Sequence, residues 1–586
     1  MVKNEISTVN ITVNDIKIVA KKGESIIEAA KREGIHIPSL CFFHMHNLDI
    51  LNRPASCRVC MVEQAGGRKG GIVPACATFV EEGMVIYTNT KRAVDVRRTM
   101  VELLLSDHPA DCLACDRNLS CELQTLAADL GIKQVRYAGE QTSIPKDFSS
   151  YSVNRDPNKC VLCRRCETMC SKVQTVGVWS GVNRGFNTNI GTAYDLPLID
   201  TQCTFCGQCV AVCPTSALTG IGDTKEVWEA LGDPDKYVIV QTAPAIRATL
   251  GEMFGMMGQN VVGKMVTALR RIGFKQVFDT SFTADVTVME ESTEFLHRLK
   301  EGGKLPLITS CCPSWIKFVE HQYPDLLEHP SSCKSPQQML GALSKTYFAE
   351  KMGIDPKKIV SVAIMPCLSK KFEANREELK NGGLKNVDYV LTTRELASMI
   401  KEACISFPAL PNGEFDPLMG ESTGAGNIFG STGGILEAVL RTSYETVTNE
   451  RLDKLKFEAL RGFDRGVKET TVDMGDTKIK VAVAHELRNT RALLEDIRAG
   501  KSDYHLIEIT ACPGGCINGG GQPYHKADED ILDKRREVLY KEDIGKLLRR
   551  SHENTQVKKL YDEFLGEPHS EKAYELLHTE YVKRKI

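Results

Sequence analysis

The sequence predicts a multidomain chain, α+β in its small amino-terminal modules and α/β in one large domain that follows them. Three observations predict it. The cysteines up to Cys213 fall in short C-x2-C clusters. From about residue 226 the texture changes to long apolar-periodic helices alternating with short buried strands. Three apolar segments of that second part each run into cysteine: Leu305 to Thr309 ahead of Cys311-Cys312-Pro-Ser-Trp315, Ile359 to Met365 ahead of Cys367, and Tyr504 to Thr510 ahead of Cys512-Pro-Gly-Gly-Cys516. Ligands of α/β sheets bind beyond the carboxyl ends of strands. These ends therefore offer Cys312, Cys367, Cys512 and Cys516 as a four-thiolate site in a sheet crevice. Adjacent cysteines suit a disulfide poorly, so Cys311 and Cys312 are expected to do different work.

Composition narrows the class. At 586 residues the chain can bury several cores. A net charge of -2 points to neither nucleic acid nor an anionic membrane surface. No run of 18 apolar residues occurs and the opening Met1-Val-Lys-Asn-Glu is not a secretory signal, so a cytoplasmic location without membrane insertion is expected. The 22 cysteines, clustered at short spacings, then indicate metal ligation in a reducing compartment rather than disulfides.

Residues 1–90 open with Thr8 to Val13, the polar pair Asn14-Asp15 and Ile16 to Val19, a β-hairpin, followed by a short helix over Ser25 to Arg32. This is how a β-grasp ferredoxin begins. Cys41, Cys57, Cys60 and Cys76 follow; plant-type ferredoxins hold a 2Fe-2S cluster with C-x4-C-x2-C and a distant fourth cysteine, and here the first gap is longer, with 15 residues between Cys41 and Cys57. A zinc ribbon is the competing reading, but it ordinarily uses two C-x2-C knuckles where this domain has one. His44 and His46 are expected on a loop surface. Residues 91–150 begin with a helix, Arg92 to Leu105, and then present His108, Cys112, Cys115 and Cys121. Three thiolates and an imidazole can hold a 4Fe-4S cluster; a Cys3His zinc site is the alternative. Residues 151–225 carry Cys160, Cys163, Cys166 and Cys170, then Cys203, Cys206, Cys209 and Cys213 before Pro214. This is the bacterial two-cluster ferredoxin repeat, in which the fourth cysteine of each run serves the other cluster. One 4Fe-4S set is thus Cys160, Cys163, Cys166 and Cys213; the other is Cys203, Cys206, Cys209 and Cys170.

Residues 226–550 form the large domain. Tyr237 to Gln241 reads as a strand, Ile246 to Ile272 as largely helical, Gln276 to Phe278 as a strand, and Val286 to Met289 as a strand running into a helix from Glu290 to Lys300. Residues 551–586 are polar and weakly helical. Cys333 and Cys404 fall at no ligand position and are expected as free buried thiols.

Thr309-Ser-Cys-Cys-Pro313, Met365-Pro-Cys-Leu-Ser-Lys-Lys-Phe-Glu373 and Glu508-Ile-Thr-Ala-Cys-Pro-Gly-Gly-Cys516 together resemble the three signatures of the FeFe-hydrogenase catalytic domain. The third departs at Thr510, where the family usually has Met, which affects packing and water access rather than ligation. The spacing of Cys41 to Cys76, and the placing of His108, likewise resemble those hydrogenases and the large iron-sulfur subunit of respiratory NADH dehydrogenases.

The resemblance implies reversible H2 oxidation and proton reduction at an H-cluster. This centre is a 4Fe-4S cubane joined through Cys516 to a diiron unit with CO, cyanide and azadithiolate. A 2Fe-2S and three further 4Fe-4S clusters would relay its electrons. It implies a proton relay of Cys311, Glu291, Ser331 and Glu294, with Lys370 holding a cyanide ligand. Pro244, Gln337, Met365 and Phe429 become pocket residues, and Ala245 leaves only a backbone N–H to meet the ligand. The tail, residues 551–586, is expected to wrap the catalytic domain. The implied partners are ferredoxin and flavin-bearing, NAD(P)-binding subunits, since the chain itself has no Rossmann fingerprint. Three rivals are weaker. A purely electron-transfer subunit should lack the four-thiolate site, an assembly factor should lack the 2Fe-2S domain, and a hydrogen sensor typically lacks Cys311.

Overall fold

The structure is a computed structural model that describes residues 7–65, 70–450, 460–461, 466–475 and 477–584. Its first module is a five-stranded sheet in the order Ile16–Lys21, Thr8–Val13, Val85–Tyr87, Met61–Ala65, Gly71–Pro74, with the helix Ile26–Arg32 packed on it. The hairpin turn puts Asn14 (φ 48°) and Asp15 (φ 66°) in the left-handed region, the geometry that follows the twist of the two strands. A capping box between Ser25 and Glu28 starts the helix. His44 lies on a short strand, Phe43–Met45, with Nδ1 2.6 Å from Glu28; His46 is exposed.

The helix Lys91–Ser106 leads into the His108 loop. The next module is built of short pieces: the antiparallel pair Val153–Arg155 and Leu218–Gly220, and the helices Arg165–Thr168 and Gln208–Val212. Its internal repeat is visible in the backbone. Leu162 and Arg164 in one cysteine loop, and Phe205 and Gly207 in the other, all take positive φ at matching positions.

The large domain contains two four-stranded sheets. One is fully parallel, in the order Gln276–Asp279, Tyr237–Thr242, Ile359–Met365, Tyr389–Thr392. The other runs Leu307–Ile308, Leu506–Thr510, Thr477–His485, Lys468–Met474 and is antiparallel only at its last pair. Every residue of Ile359–Met365 is buried, as a parallel strand covered on both faces requires. The three cysteine-bearing strand ends therefore come from two sheets. Cys312 and Cys512 follow strands of the mixed sheet and Cys367 follows a strand of the parallel one, so their site lies between sheets rather than in one crevice.

Two expected elements differ. Val286 to Met289 is not a strand: it lies inside one 22-residue helix, Thr280–Glu301, capped by Asp279 and ended by Gly302 at φ 79°. That stretch of helix is buried nearly all round, so its apolar run carries no helical period. The expected helix from Ile246 to Ile272 is broken between Phe254 and Val262, where Gly255 and Gly258 take φ of 75° and 73°. The tail is better built than expected. Val557, Leu560, Tyr561, Leu565, Ala573, Leu576 and Leu577 complete a hydrophobic core with Phe278, Phe282 and Val286. No helix among the described residues is long and apolar enough to cross a membrane.

Candidate active site

Between the two sheets lies a cavity of about 80 Å3 whose walls include Cys312, Cys367, Cys512 and Cys516. The same walls carry Cys311, Lys370, Pro244, Gln337, Met365, Phe429, Ala245 and Thr510. The loops meet because glycines let them. An added Cβ on Gly519 would stand 2.2 Å from the Pro366 carbonyl oxygen, and one on Gly515 (φ 94°) 2.5 Å from the Thr432 nitrogen. Burial pushes the Cys312 thiol up and that of Cys367 up to about 12; Cys512 and Cys516 are also raised, with the neighbouring thiols adding to burial. Four converging thiols, those of Cys367 and Cys512 buried and those of Cys312 and Cys516 half-buried, are unfavourable in a metal-free core and become favourable as thiolates around a cationic iron cluster, so the donor set fits the cubane.

Cys311 stands on the cavity wall, its thiol raised by burial and by Cys516. Behind it Glu291 is 1 % exposed, and the Ser310 N–H donates to its Oε1 at 3.4 Å. Burial, then the nearby Glu294 charge, pushes the Glu291 carboxyl up to about 8. Ser331 touches Glu291 and donates to Glu294 Oε2 at 2.7 Å. Ser332 makes longer contacts to the same carboxylate, 3.2 Å from its N–H and 3.5 Å from its hydroxyl. Arg298, one turn along the helix, donates to Glu294 Oε1 at 2.6 Å. Arg298 was legible only as an i,i+4 partner of Glu294.

Lys370 Nζ donates to the Cys311 carbonyl at 3.0 Å and to Glu373 at 2.9 and 3.1 Å. Burial opposes its charge, but Glu373 and Cys311 leave the ammonium above its ordinary range. Gln337 donates to the same Glu373 at 3.1 Å while its Oε1 has no hydrogen-bond partner. The adjacent Lys371 is not a surface residue; it is buried against Asp223 (2.8 Å) and Glu395 (3.1 Å). Glu508, which opens the third motif, accepts from the Gly433 and Leu436 N–H groups, both at 2.8 Å, and so caps the helix Gly434–Thr448 behind the cavity.

The other cysteine sets divide as the crossed pairing requires. Cys160, Cys163, Cys166 and Cys213 line one small cavity; Cys170, Cys203, Cys206 and Cys209 line another. Cys41, Cys57, Cys60 and Cys76 are all buried, with thiol contacts from Cys41 to Cys57 and Cys76 and from Cys60 to Cys76. The fourth set is looser: His108, Cys112, Cys115 and Cys121 lie along one loop, Cys121 buried and Cys112 exposed. Of the spare thiols, Cys333 is buried as expected. Cys404 is exposed, because it sits at φ 53° in the turn after the helix Thr393–Glu402.

These sites touch in sequence. Asn52 donates to the Cys41 carbonyl (2.6 Å) and to the Cys163 carbonyl (3.1 Å). The N–H next to Cys121, on Glu122, donates to Pro214 beside Cys213 (2.9 Å). At the inner end Gln208 donates to the Asn518 carbonyl (2.8 Å), and Gly520 packs on Gly207 so closely that a Cβ would lie 2.6 Å from its Cα. Two outer sites thus converge on one ferredoxin-like cavity, and the second such cavity abuts the four-thiol site.

Residues 236–520 match the iron only hydrogenase large subunit, C-terminal domain, and 529–584 the iron hydrogenase small subunit. Residues 7–91 match a 2Fe-2S iron-sulfur cluster binding domain, 97–136 the NADH-ubiquinone oxidoreductase-G iron-sulfur binding region, and 141–218 a 4Fe-4S dicluster domain. The chain is 53% identical over 586 residues to the NADP-reducing hydrogenase subunit HndD of Solidesulfovibrio fructosivorans, covering 99% of each chain. It is 40% identical over 584 residues to iron hydrogenase 1 of Clostridium pasteurianum, covering 98% of this chain and 100% of that one. A solved FeFe-hydrogenase of Chlamydomonas reinhardtii superposes with a TM-score of 0.56 at 43% identity, over 62% of this chain and 99% of its own. With full-length relatives on both counts, the chain belongs to the FeFe-hydrogenase family and is a hydrogenase preceded by iron-sulfur electron-transfer domains.

Proposed function

We propose that this chain interconverts H2 with two protons and two electrons at an H-cluster held by Cys312, Cys367, Cys512 and Cys516. When bound, the diiron unit supplies the redox chemistry of H2 cleavage and formation. The protein's share is protons, orientation and exclusion of water. Cys311 exchanges a proton at Sγ, and Glu291, Ser331 and Glu294 pass it outward. Lys370, fixed by Glu373, offers its ammonium to an anionic ligand such as cyanide. Pro244, Gln337, Met365 and Phe429 shape the pocket and keep it dry. The observation that carries this reading is a titratable cysteine on the wall of a four-thiol cavity, backed by the buried carboxyl Glu291 and by a serine bonded to a second carboxylate.

Electrons would pass through one 2Fe-2S cluster on Cys41, Cys57, Cys60 and Cys76, and one 4Fe-4S cluster on His108, Cys112, Cys115 and Cys121. Two further 4Fe-4S clusters, in the crossed ferredoxin sets, would complete the wire. The partner is a flavin-bearing subunit reactive with NAD(P), with ferredoxin as a second carrier. The full-length similarity to an NADP-reducing hydrogenase subunit supports this. The enzyme is assigned to the cytoplasm.

Hydrogen evolution from reduced methyl viologen tests the proposal, using anaerobic protein co-produced with the diiron maturation proteins. Wild type should evolve H2. Cys312→Ala should lose activity and the cubane signal, and Cys311→Ala activity alone. A fully loaded wild type without activity would overturn it.

A further inference from the structure

The relay just proposed stops at Glu294, which is 6 % exposed and whose Oε1 is held by Arg298. A guanidinium stays protonated in proteins, so Arg298 can orient Glu294 but cannot accept a proton from it. The other oxygen faces a different set of groups. Ser332 Oγ lies 3.5 Å from Glu294 Oε2 and 2.8 Å from His578 Nδ1. The far nitrogen of that ring, Nε2, is 3.1 Å from Glu290 Oε2, and Glu290 is fully buried. Glu290 is held by the Tyr561 hydroxyl (2.6 Å) and the His569 N–H (2.9 Å), and His569 Nε2 is 3.9 Å from its Oε2. The imidazoles stand in file: His578 to His569 at 4.6 Å between ring centres, and His569 to the exposed His297 at 6.1 Å.

We propose that Ser332, His578, Glu290, His569 and His297 form the outer leg of the proton path, joining Glu294 to solvent through the carboxy-terminal segment. This rests on the relay proposed above. Each hop moves one proton and no electron. In H2 oxidation the Glu294 carboxyl gives its proton through the Ser332 hydroxyl to His578 Nδ1. His578 releases one from Nε2 to Glu290, and Glu290 passes one to His569 and solvent. Proton reduction runs the file inward. His569 Nε2 donates to the Glu290 backbone carbonyl at 3.1 Å and so already carries a proton; the Glu290 carboxyl, 3.9 Å away, must reach the ring's other nitrogen through ring rotation or one water. The groups facing His578 are Glu290, Glu294 and Ser332, with Cys333, His569 and Tyr574; Tyr574 stacks on it at 4.8 Å. The tail then completes the path as well as the core.

The test compares wild-type holoenzyme with His569→Ala and His578→Gln, each checked for iron content and folding. His569→Ala should lower viologen-driven H2 evolution on the order of tenfold, and added imidazole should restore it. His578→Gln keeps the hydrogen bonds but cannot titrate; it should shift the pH profile and enlarge the solvent isotope effect. Infrared difference spectra of protein with ring-labelled histidine should show an imidazole protonation change that disappears in His578→Gln. Unchanged rates and pH profiles in both variants would overturn the outer leg, as would a loss that imidazole does not restore together with an unchanged profile. Failure of the wild type itself to evolve H2 would instead overturn the hydrogenase chemistry beneath it.

Discussion

Glu291 is pushed up to about 8 by burial and by Glu294, against an ordinary value of 4.5. Its neutral form is preferred in the fold, while in the unfolded chain it ionises near its ordinary value. Unfolding therefore releases a proton between those limits, and this residue's contribution to stability falls as pH rises from about 4.5 towards 8. Glu291→Gln should flatten that decline in denaturation midpoints against pH while reducing H2 turnover on the order of a hundredfold or more. Glu508 answers to a different test. Its carboxylate caps Gly433 and Leu436, so Glu508→Ala should cost roughly 1–3 kcal/mol in denaturant unfolding by leaving buried donors unpaired. At this scale the cysteines were legible because metal ligation fixes residue type and spacing. The role of Glu508, and the whole of the His578 file, were not, since they depend on which distant segments meet.

The loop Cys512 to Gly521 shows both sides of this at the scale of elements. Its glycines were visible in the sequence; what they permit was not. Gly519 sits against Pro366 and Gly520 against Gly207, which joins the Cys367 loop, the Cys516 loop and the neighbouring ferredoxin loop through backbone contact. Gly519→Ala should force these loops apart at a cost of about 1–3 kcal/mol, with loss of diiron loading measured by infrared spectroscopy. The strands at Tyr237, Gln276 and Ile359 are legible from short apolar runs, whereas the similar run Val286 to Met289 predicts a strand and is helix. Both kinds of segment are buried on all sides, and only the surrounding packing separates them. The two-sheet arrangement was equally hidden, because strand order depends on pairings far apart in sequence.

Across the whole molecule, the outer iron-sulfur modules converge on one ferredoxin-like site, and a second such site adjoins the catalytic cavity. On the electron path proposed above, entry would therefore be branched and exit to the H2 site single. Cys57→Ala, which removes the 2Fe-2S branch, should leave viologen-driven H2 evolution largely intact but reduce the rate severalfold with a physiological partner subunit. Losing the inner set through Cys206→Ala should abolish both, which rate comparison with the two donors will show. The module order was legible because each carries its own cysteine pattern; their docking through Asn52, Glu122 and Gln208 was not, since single polar contacts leave no pattern. The most direct measurement of the central claim needs no electron partner at all. Under D2 in ordinary water, iron-loaded wild type should release HD and H2, followed by mass spectrometry, and Cys311→Ala should release almost none. Absence of exchange in the loaded wild type, or undiminished exchange in Cys311→Ala, would contradict an H2-activating site served by this proton path.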